Sequence, residues 1–308
     1  MRLLRSLALA LLAISASASC TSPIRVDRDA GEIAEGGEVG SATNGFLQVS
    51  AGYGYVCGLR PNGTVVCAGN SDYGQAAPPS DSFIQIAAGG EFACGLRTDG
   101  SAICWGANRD GPLNPPAGAV YSQITAGWSH ACGLTEGRAN CWGGDSDGEL
   151  TAPTDTLIQI SAGGWHTCGL RIDGSAVCWG RDADNECKAP TGYFSQITAG
   201  DNNTCGLRAD GRATCWGLNN LGQSKPASAS FTQVSAGYLG TCGLRGNGSV
   251  TCWGYQHLVD PMAMPAGIPM PSPSGAFTQI SLRDATMACG ILTDGSITCW
   301  GNPMTLVL

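Results

Sequence analysis

Residues 93–106, "ACGLRTDGSAICWG", carry two cysteines that are ten positions apart on either side of a turn signal. The Asp-Gly pair marks a β-turn, and the short apolar runs that flank it have the composition of strands. If Thr98-Asp99-Gly100 forms a three-residue loop, Cys94 lies directly opposite Cys104 in a non-hydrogen-bonded pair, where side chains come closest. This geometry suits a cross-strand disulfide, so the stretch predicts a β-hairpin closed by a cystine.

Close copies of this hairpin recur along the chain, and each follows a start of the form aromatic residue or Leu, any residue, Gln, then Ile or Val. The starts are Phe46, Phe83, Tyr121, Leu157, Phe194, Phe231 and Phe277. The first cysteines are 37, 38, 36, 37, 37 and 47 residues apart, because the last step contains an insertion at 255–276. Seven such units predict an all-β fold, a seven-bladed β-propeller at 46–308. An open β-solenoid is the alternative.

The third unit tests the pairing, because its cysteines are nine residues apart instead of ten. Its turn is one residue shorter, and a two-residue Glu136-Gly137 loop again places Cys132 opposite Cys141. The predicted disulfides, one per repeat, are Cys57–Cys67, Cys94–Cys104, Cys132–Cys141, Cys168–Cys178, Cys205–Cys215, Cys242–Cys252 and Cys289–Cys299. Zinc sites favour Cys-x2-Cys spacing or added His ligands, and redox centres favour Cys-x-x-Cys. Neither pattern occurs, so no metal site and no cofactor is predicted.

Two cysteines lie outside the repeat pattern. Cys187 lies in a loop, either as an incidental thiol or as a partner for an intermolecular bond. Cys20 follows a basic and then apolar segment, which predicts a signal peptide at 1–19. The letters "SASC" (17–20) resemble a bacterial lipobox, so Cys20 is a candidate lipidation site; an ordinary signal-peptidase site at "ASA" (16–18) is the alternative.

Charge and cysteine content restrict the compartment and the partners. Sixteen cysteines indicate an oxidising compartment. The 24 acidic residues outnumber the 16 basic ones, for a formal net charge of -8, which argues against a nucleic-acid partner. Residues 20–45 are acidic and Gly-rich and are predicted to be a linker. We therefore expect a monomeric extracytoplasmic protein that is either secreted or held at the outer membrane or cell surface by a lipid anchor.

The motif "CGLRxDGSxxCWGxNxxGQ", complete at its end in "WGLNNLGQ" (216–223), resembles the repeats of the regulator-of-chromosome-condensation family. The clearest copy of the family pattern is "GGWHTCGLRIDGSAVCWG" (163–180), with Cys in place of small or aromatic residues. The resemblance covers residues 46 to about 305 and independently implies the seven-bladed propeller.

Some units depart from the family pattern. Ala68 stands in the first unit where Trp is expected, and Leu282-Arg283 stands in the seventh where Ala-Gly is expected. The Gly-Gln ending is clear only at Gly74-Gln75 and Gly222-Gln223. The best-known eukaryotic member is a nucleotide-exchange factor that binds chromatin, a role that does not suit a secreted acidic protein. A secreted bacterial member caps β-lactamases with loops from one propeller face, so the resemblance implies a protein-binding module.

The variable residues before each first cysteine are the predicted binding site, because loops on a rigid ring carry function. Trp and Tyr are the favoured anchors of protein interfaces, and the same side chains stack on sugars. His130 and His166 occupy the usual His position of the family, for which a structural hydrogen bond is expected. The candidate binding residues are Tyr53, Tyr55, Phe92, Trp128, His130, Trp165, His166 and Tyr238. Packing of some of them between blades is the alternative.

No catalytic residues are predicted, because the sequence shows no nucleophile with a base, no Gly-x-Ser-x-Gly elbow and no phosphate-binding Gly loop. We expect a non-catalytic binding module that recognises a protein or a surface glycan through loops on one propeller face. The alternatives are an enzyme that processes polysaccharides or peptides in the central channel, and a purely structural surface protein.

Overall fold

The computed structural model describes residues 45–254, 273–283 and 287–301, together with the backbone of two short strands at Ile24–Val26 and Ile33–Ala34. The regular elements of these residues are all β-strands. In chain order they are β1 (Ile24–Val26), β2 (Ile33–Ala34), β3 (Gln48–Ala51), β4 (Tyr55–Leu59), β5 (Val65–Gly69), β6 (Gln85–Ala88), β7 (Phe92–Leu96), β8 (Ala102–Gly106), β9 (Gln123–Ala126), β10 (His130–Thr135), β11 (Arg138–Gly143), β12 (Leu157–Ala162), β13 (His166–Arg171), β14 (Ala176–Gly180), β15 (Gln196–Ala199), β16 (Asn203–Leu207), β17 (Ala213–Gly217), β18 (Gln233–Ala236), β19 (Gly240–Leu244), β20 (Val250–Gly254), β21 (Phe277–Leu282), β22 (Met287–Leu292) and β23 (Ile297–Gly301).

Each repeat forms one antiparallel sheet of three consecutive strands, which we call a blade. Blades 1 to 7 are β3–β5, β6–β8, β9–β11, β12–β14, β15–β17, β18–β20 and β21–β23. The first strand of each blade lines a central channel, the second lies in the middle of the sheet and the third lies outside. In blade 7, β23 also pairs with β1, and β1 pairs with β2. These two strands lie within the range 20–45 that the sequence predicts to be a linker.

The hairpins have the register that the cysteine spacing predicts. Cys94 pairs with Cys104 in blade 2, and Cys132 pairs with Cys141 across the shorter turn of blade 3. All seven predicted disulfides are present, with a Cα–Cα distance of 4.0 Å in each. The turn glycines have φ between 77° and 84°, a region that favours Gly. They are Gly63, Gly100, Gly137, Gly174, Gly211, Gly248 and Gly295.

The hydrophobic core lies between neighbouring blades. At the interface of blades 1 and 2, Tyr55 and Leu59 pack against Phe83, Ile86 and Trp105. The other interfaces repeat this arrangement. The tryptophans of the third strands are buried: Trp105, Trp142, Trp179, Trp216, Trp253 and Trp300. Burying one large apolar side chain contributes about 1.5–3 kcal/mol, so each interface holds its two blades firmly.

The ring is closed between blades 7 and 1. Phe46 and Ala68 of blade 1 lie in one buried cluster with Met287 and Ile297 of blade 7. The Phe46 N–H donates to the carbonyl oxygen of the turn residue Gly295 at 2.8 Å, and the first residue of every other blade makes the same bond to the preceding turn. Ala68 therefore replaces the expected Trp at the closing interface, and closure excludes the open solenoid.

A belt of glutamine side chains joins the first strands around the channel. Gln123 Nε2 donates to the Ile160 carbonyl of the next blade at 3.0 Å, and its Oε1 accepts from the Ile160 N–H at 3.0 Å. Gln279 Oε1 accepts from the Val49 N–H at 2.7 Å and carries the belt across the closure. The other members are Gln48, Gln85, Gln159, Gln196 and Gln233. The Gln that marks each repeat start in the sequence thus fixes each blade to the next.

Candidate functional site

The propeller has two faces that differ in their connections. The loops between the first and second strands of each blade lie on one side, which we call the loop face, and the hairpin turns of the second and third strands lie on the other, the turn face. The variable residues that the sequence singles out begin in these first loops, for example at 53–54, 128–129 and 164–165.

Four of the eight predicted binding residues reach the surface of the loop face. Tyr53 and Tyr238 are 49% and 41% exposed, and Trp128 and Trp165 are half-buried. Each occupies the second or third position of its three-residue loop, before the second strand begins. These four side chains are the part of the predicted site that a partner can contact.

Tyr53, Trp128 and Trp165 form a continuous row of rings, which we call the aromatic strip. The Tyr53 ring meets the Trp128 ring edge-on, with centroids 4.9 Å apart, and the Trp128 and Trp165 centroids are 6.4 Å apart. The strip runs from blade 1 to blade 4 and passes blade 2 at Gly90. A Cβ at Gly90 would lie 3.3 Å from the Trp128 ring and 2.5 Å from the Trp128 carbonyl oxygen, so Gly leaves room for the strip.

The other four candidates are buried between blades, and the expectation that they contact a partner needs correction. They are Tyr55, Phe92, His130 and His166, each 1% exposed or less. Each begins the second strand of its blade and lies opposite the Gly that ends the third strand, as Phe92 does opposite Gly106 and Tyr55 does opposite Gly69. The Tyr55 hydroxyl donates to the Phe92 carbonyl of the next blade. The packing alternative therefore applies to these positions.

The two buried histidines make the structural hydrogen bonds expected at their position. His130 Nε2 lies 2.8 Å from Thr167 Oγ1, and His166 Nε2 lies 2.7 Å from Thr204 Oγ1, in each case on the next blade. Burial lowers the pKa of His130 to about 3 and that of His166 to about 4, so both rings are neutral near pH 7. Within the described part of the chain, no three His, Cys, Asp or Glu residues are grouped so as to hold a metal ion.

The first strands enclose a polar cavity of about 200 Å³ at the centre of the ring. Arg283 lines it at the loop face, where its guanidinium donates to the carbonyls of Ala126, Ala162 and Gly163 at 3.1, 3.4 and 3.4 Å. Arg283 is only 6% exposed and stands where the other six blades carry Gly. Among the described residues, those that line the cavity include no carboxylate and no imidazole. The sequence shows Arg283 as a departure from the repeat but does not indicate this placement.

The turn face exposes aliphatic side chains that are not among the predicted binding residues. Leu47, Ile84 and Ile158 stand directly before belt glutamines and are each more than half exposed. The equivalent residues of blades 3 and 5 are Ser122 and Ser195. The sequence carries a signal for these exposed side chains in the second residue of each repeat start, directly before the Gln. This residue is apolar in some units and polar in others.

Cys187 is part of the blade structure. Its thiol is half-buried and donates to the Arg181 carbonyl at 3.0 Å, and Ser224, its equivalent in the next blade, donates to the Leu218 carbonyl at 2.8 Å. Burial raises the pKa of the Cys187 thiol to about 12, so the reactive thiolate is not formed near pH 7. Cys187 therefore acts as the counterpart of a structural Ser and is a poor candidate for an intermolecular bond.

Several predictions concern residues outside the described ranges. These are the signal peptide at 1–19, the lipidation site Cys20 and residues 255–272 of the insertion, which include His257. Among the described residues, none belongs to a helix with the length and apolar character that crossing a membrane requires.

The sequence matches the family model of the regulator of chromosome condensation (RCC1) repeat in five segments. The matched segments are 46–75, 83–111, 157–187, 194–223 and 231–257. Each contains the three strands of one blade, in blades 1, 2, 4, 5 and 6. No curated protein is significantly similar to the sequence.

Solved structures with the same architecture include two plant receptor ectodomains. The CRINKLY WD40 ectodomain of the Arabidopsis thaliana receptor kinase ACR4 is 27% identical, covers 85% of this chain and 99% of its own, and has a TM-score of 0.68. The entire ectodomain of the Physcomitrella patens receptor kinase CR4 is 27% identical, covers 84% of this chain and 75% of its own, and has a TM-score of 0.68.

A third similar structure is Prp20p from Saccharomyces cerevisiae, described together with its binding to Gsp1p and histones. It is 17% identical over 72% of each chain, with a TM-score of 0.61, and at this identity it shows the fold alone. The five repeat matches and the closed ring of seven blades show that the chain belongs to the regulator of chromosome condensation (RCC1) repeat family.

Proposed function

We propose that this protein is an extracytoplasmic, non-catalytic binding module that recognises another protein through the loop face of its propeller. The aromatic strip of Tyr53, Trp128 and Trp165 is the observation that carries this proposal. Trp and Tyr dominate the energetic centres of protein interfaces. Because the three rings already contact one another, little side-chain entropy is lost when a partner covers them.

The aromatic strip is held in place by hydrogen bonds to the propeller blades beneath it. The Tyr53 N–H donates to the Gly89 carbonyl at 3.3 Å, and the Trp128 N–H donates to the Gly164 carbonyl at 3.2 Å. Both bonds tie a strip residue to the loop of the next blade. The strip is therefore carried by a rigid scaffold, which favours affinity for one partner shape over adaptable binding.

The location follows from the disulfides and from the similar structures. Seven cystines suit an oxidising compartment, and the ectodomains of ACR4 and CR4 support a location outside the cytoplasm. We include in the proposal export by the signal peptide at 1–19 and, at the cell surface, a lipid on Cys20. That Prp20p binds Gsp1p and histones supports protein partners for this architecture in general.

The test compares two double variants, one on each face. Trp128→Ala with Trp165→Ala removes most of the aromatic strip, and Ile84→Ser with Ile158→Ser removes exposed apolar area from the turn face. The control introduces the residue that Ser122 and Ser195 supply in other blades, so it is compatible with the fold. Each protein serves as bait for cross-linked capture from the surface of cells of the source organism, followed by mass spectrometry. We expect a protein that the wild type and the turn-face control enrich and the strip variant does not.

Other outcomes identify the alternatives. Enrichment of the same proteins by the strip variant and the wild type contradicts recognition by the loop face. Strip-dependent binding to purified surface polysaccharide, without an enriched protein, identifies a glycan ligand. Turnover of polysaccharide or peptide by the wild type supports the enzyme alternative. The absence of both binding and turnover supports the structural one.

A further inference from the structure

The channel wall next to Arg283 carries a ring of hydroxyl groups. In six blades the residue two positions before the Arg283 site is Ser or Thr, and blade 2 carries Ala87. The hydroxyl residues are Ser50, Thr125, Ser161, Thr198, Ser235 and Ser281. Each Oγ accepts a hydrogen bond from a backbone N–H of the next blade at 2.9–3.1 Å. None of the described hydrogen bonds uses their O–H groups as donors, so these remain to donate into the cavity.

The Arg283 guanidinium lies at the loop-face end of the hydroxyl ring, and one of its N–H groups has no acceptor among the described residues. Three carbonyls accept from its terminal nitrogens, but Arg283 Nε is buried and has no hydrogen-bond partner among the described residues. A buried donor without a partner costs about 1–3 kcal/mol, and more when it is charged. An Arg side chain stays protonated even when burial lowers its pKa, so the donor carries a positive charge.

The charge on the cavity lining is positive and suits an anion. Arg283 is the one charged residue among the described residues that line the cavity. The neighbouring His130 and His166 are neutral near pH 7 and add no positive charge. The Asp201 carboxylate attracts the guanidinium and opposes the lowering of its pKa. The space of about 200 Å³ exceeds the roughly 30 Å³ that one water occupies, so a small ion fits with part of its hydration.

We propose that the central channel binds a small monovalent anion, such as a halide, nitrate or formate, between the Arg283 guanidinium and the hydroxyl ring. The anion accepts from Arg283 and from the O–H groups of Thr125 and Ser161, which directly precede the residues Ala126 and Ala162 whose carbonyls hold the guanidinium. Because it joins the seventh blade to the third and fourth across the channel, the anion stabilises the closed ring. This site is independent of the aromatic strip and of the proposed partner.

The experiment uses the full chain with bromide as the probe. Crystals soaked in sodium bromide are measured at the bromine absorption edge, and we expect an anomalous peak inside the cavity beside Arg283. In solution, urea unfolding is followed in increasing sodium bromide. At a bromide concentration of 100 times Kd, the ratio of folded to unfolded protein rises about 100-fold beyond any general salt effect.

Two variants separate the site from general effects of salt. Arg283→Gly restores the residue of the other six blades and removes the bromide peak and the specific rise in stability. Arg212→Ala is the matched control, because it removes one positive charge from a side chain that is 80% exposed and does not line the cavity. The control keeps the full response.

A third variant keeps Arg283 and tests the hydroxyl groups of the channel wall. Thr125→Ala with Ser161→Ala introduces the residue that blade 2 already carries at Ala87, and we expect a bromide Kd raised about tenfold or more. This variant decides the question if Arg283→Gly does not fold. An empty cavity in wild-type crystals, or an equal bromide response in wild type, ring variant and Arg283→Gly, overturns the proposal.

Discussion

Replacing both buried histidines by Asn removes a source of acid sensitivity from the fold. His130 and His166 are each hydrogen-bonded to a Thr of the next blade. Blade 5 shows that Asn suits the same place, because Asn203 Nδ2 donates to Thr241 Oγ1 at 3.3 Å. The double variant His130→Asn with His166→Asn therefore exchanges a titratable partner for a neutral one that the repeat already uses.

The size of the acid-induced loss in the free energy of unfolding follows from the two pKa values. An unfolded His has a pKa near 6.5, whereas burial holds the folded pKa of His130 at about 3 and that of His166 at about 4. As the pH falls below 6.5, the unfolded chain takes up protons that the folded protein does not, and the free energy of unfolding falls by about 1.4 kcal/mol per pH unit for each His. At pH 5 the loss is about 2 kcal/mol for each ring and about 4 kcal/mol for both. Above pH 7 both histidines are neutral in the folded and the unfolded protein, so they cause no loss in the free energy of unfolding.

The assay is urea unfolding of wild type, both single variants and the double variant between pH 7.5 and pH 4.5, with the disulfides intact. All other titratable groups are the same in the four proteins, so the difference between their pH slopes isolates the two rings. We expect the slope below pH 6.5 to be about 2.7 kcal/mol per pH unit smaller in the double variant, with each single variant halfway. Equal slopes in wild type and double variant would refute the burial argument.

Three further perturbations test the remaining parts of the fold. Replacing Cys94 and Cys104 by Ala opens one ten-residue loop, and we expect a loss of about 2–3 kcal/mol in the free energy of unfolding, measured with urea at pH 7. Gln123→Ala leaves the Ile160 N–H and carbonyl without their belt partner and should cost about 1–3 kcal/mol; a variant as stable as wild type contradicts the role of the belt. Cys187→Ser should change stability by less than about 0.5 kcal/mol, and the wild-type thiol should react with a disulfide reagent only after unfolding.

The fold could be predicted from the sequence because one local register repeats seven times. The loop length fixes which residues of the hairpin face each other, and the shorter turn of blade 3 supports the same pairing. There Glu136 and Gly137 have φ of 50° and 77°, which fits a two-residue turn with positive φ at both positions. Seven equal units then favour a ring, and the closing contacts between blades 7 and 1 are those of every other interface.

The register of the hairpins could also have predicted which candidate binding residues are buried and which are exposed. The pairing that places Cys94 opposite Cys104 places Phe92, two residues earlier, opposite Gly106. A residue paired within the middle strand of a packed sheet is buried, whereas the preceding loop positions, such as Trp128, are not paired. Extending the hairpin by two residues therefore separates the buried from the exposed candidates. The contact of Tyr53 with Trp128 across blade 2 was not accessible, because it depends on the curvature of the ring.

Comparison among the repeats distinguishes substitutions that keep a contact from those that create one. Glu149 replaces the Gln of the Gly-Gln ending, yet its Oε2 accepts from the N–H two residues before it at 2.8 Å, as Gln75 Oε1 does at 3.0 Å. The carbonyls of both residues accept the indole N–H of the following Trp. Such changes preserve the blade and indicate no function.

Arg283 and the tryptophans of the aromatic strip, in contrast, create contacts that the equivalent residues of other repeats do not make. Arg283 binds three carbonyls of two distant blades, contacts that no Gly at the equivalent sites makes. Trp128 and Trp165 expose rings where the matching loop positions of blade 2 carry Gly90 and Glu91. Because the other repeats form the same blade without them, the stability of a blade does not require these side chains. The binding roles that we propose at the channel and on the loop face explain why these side chains are present where folding does not need them.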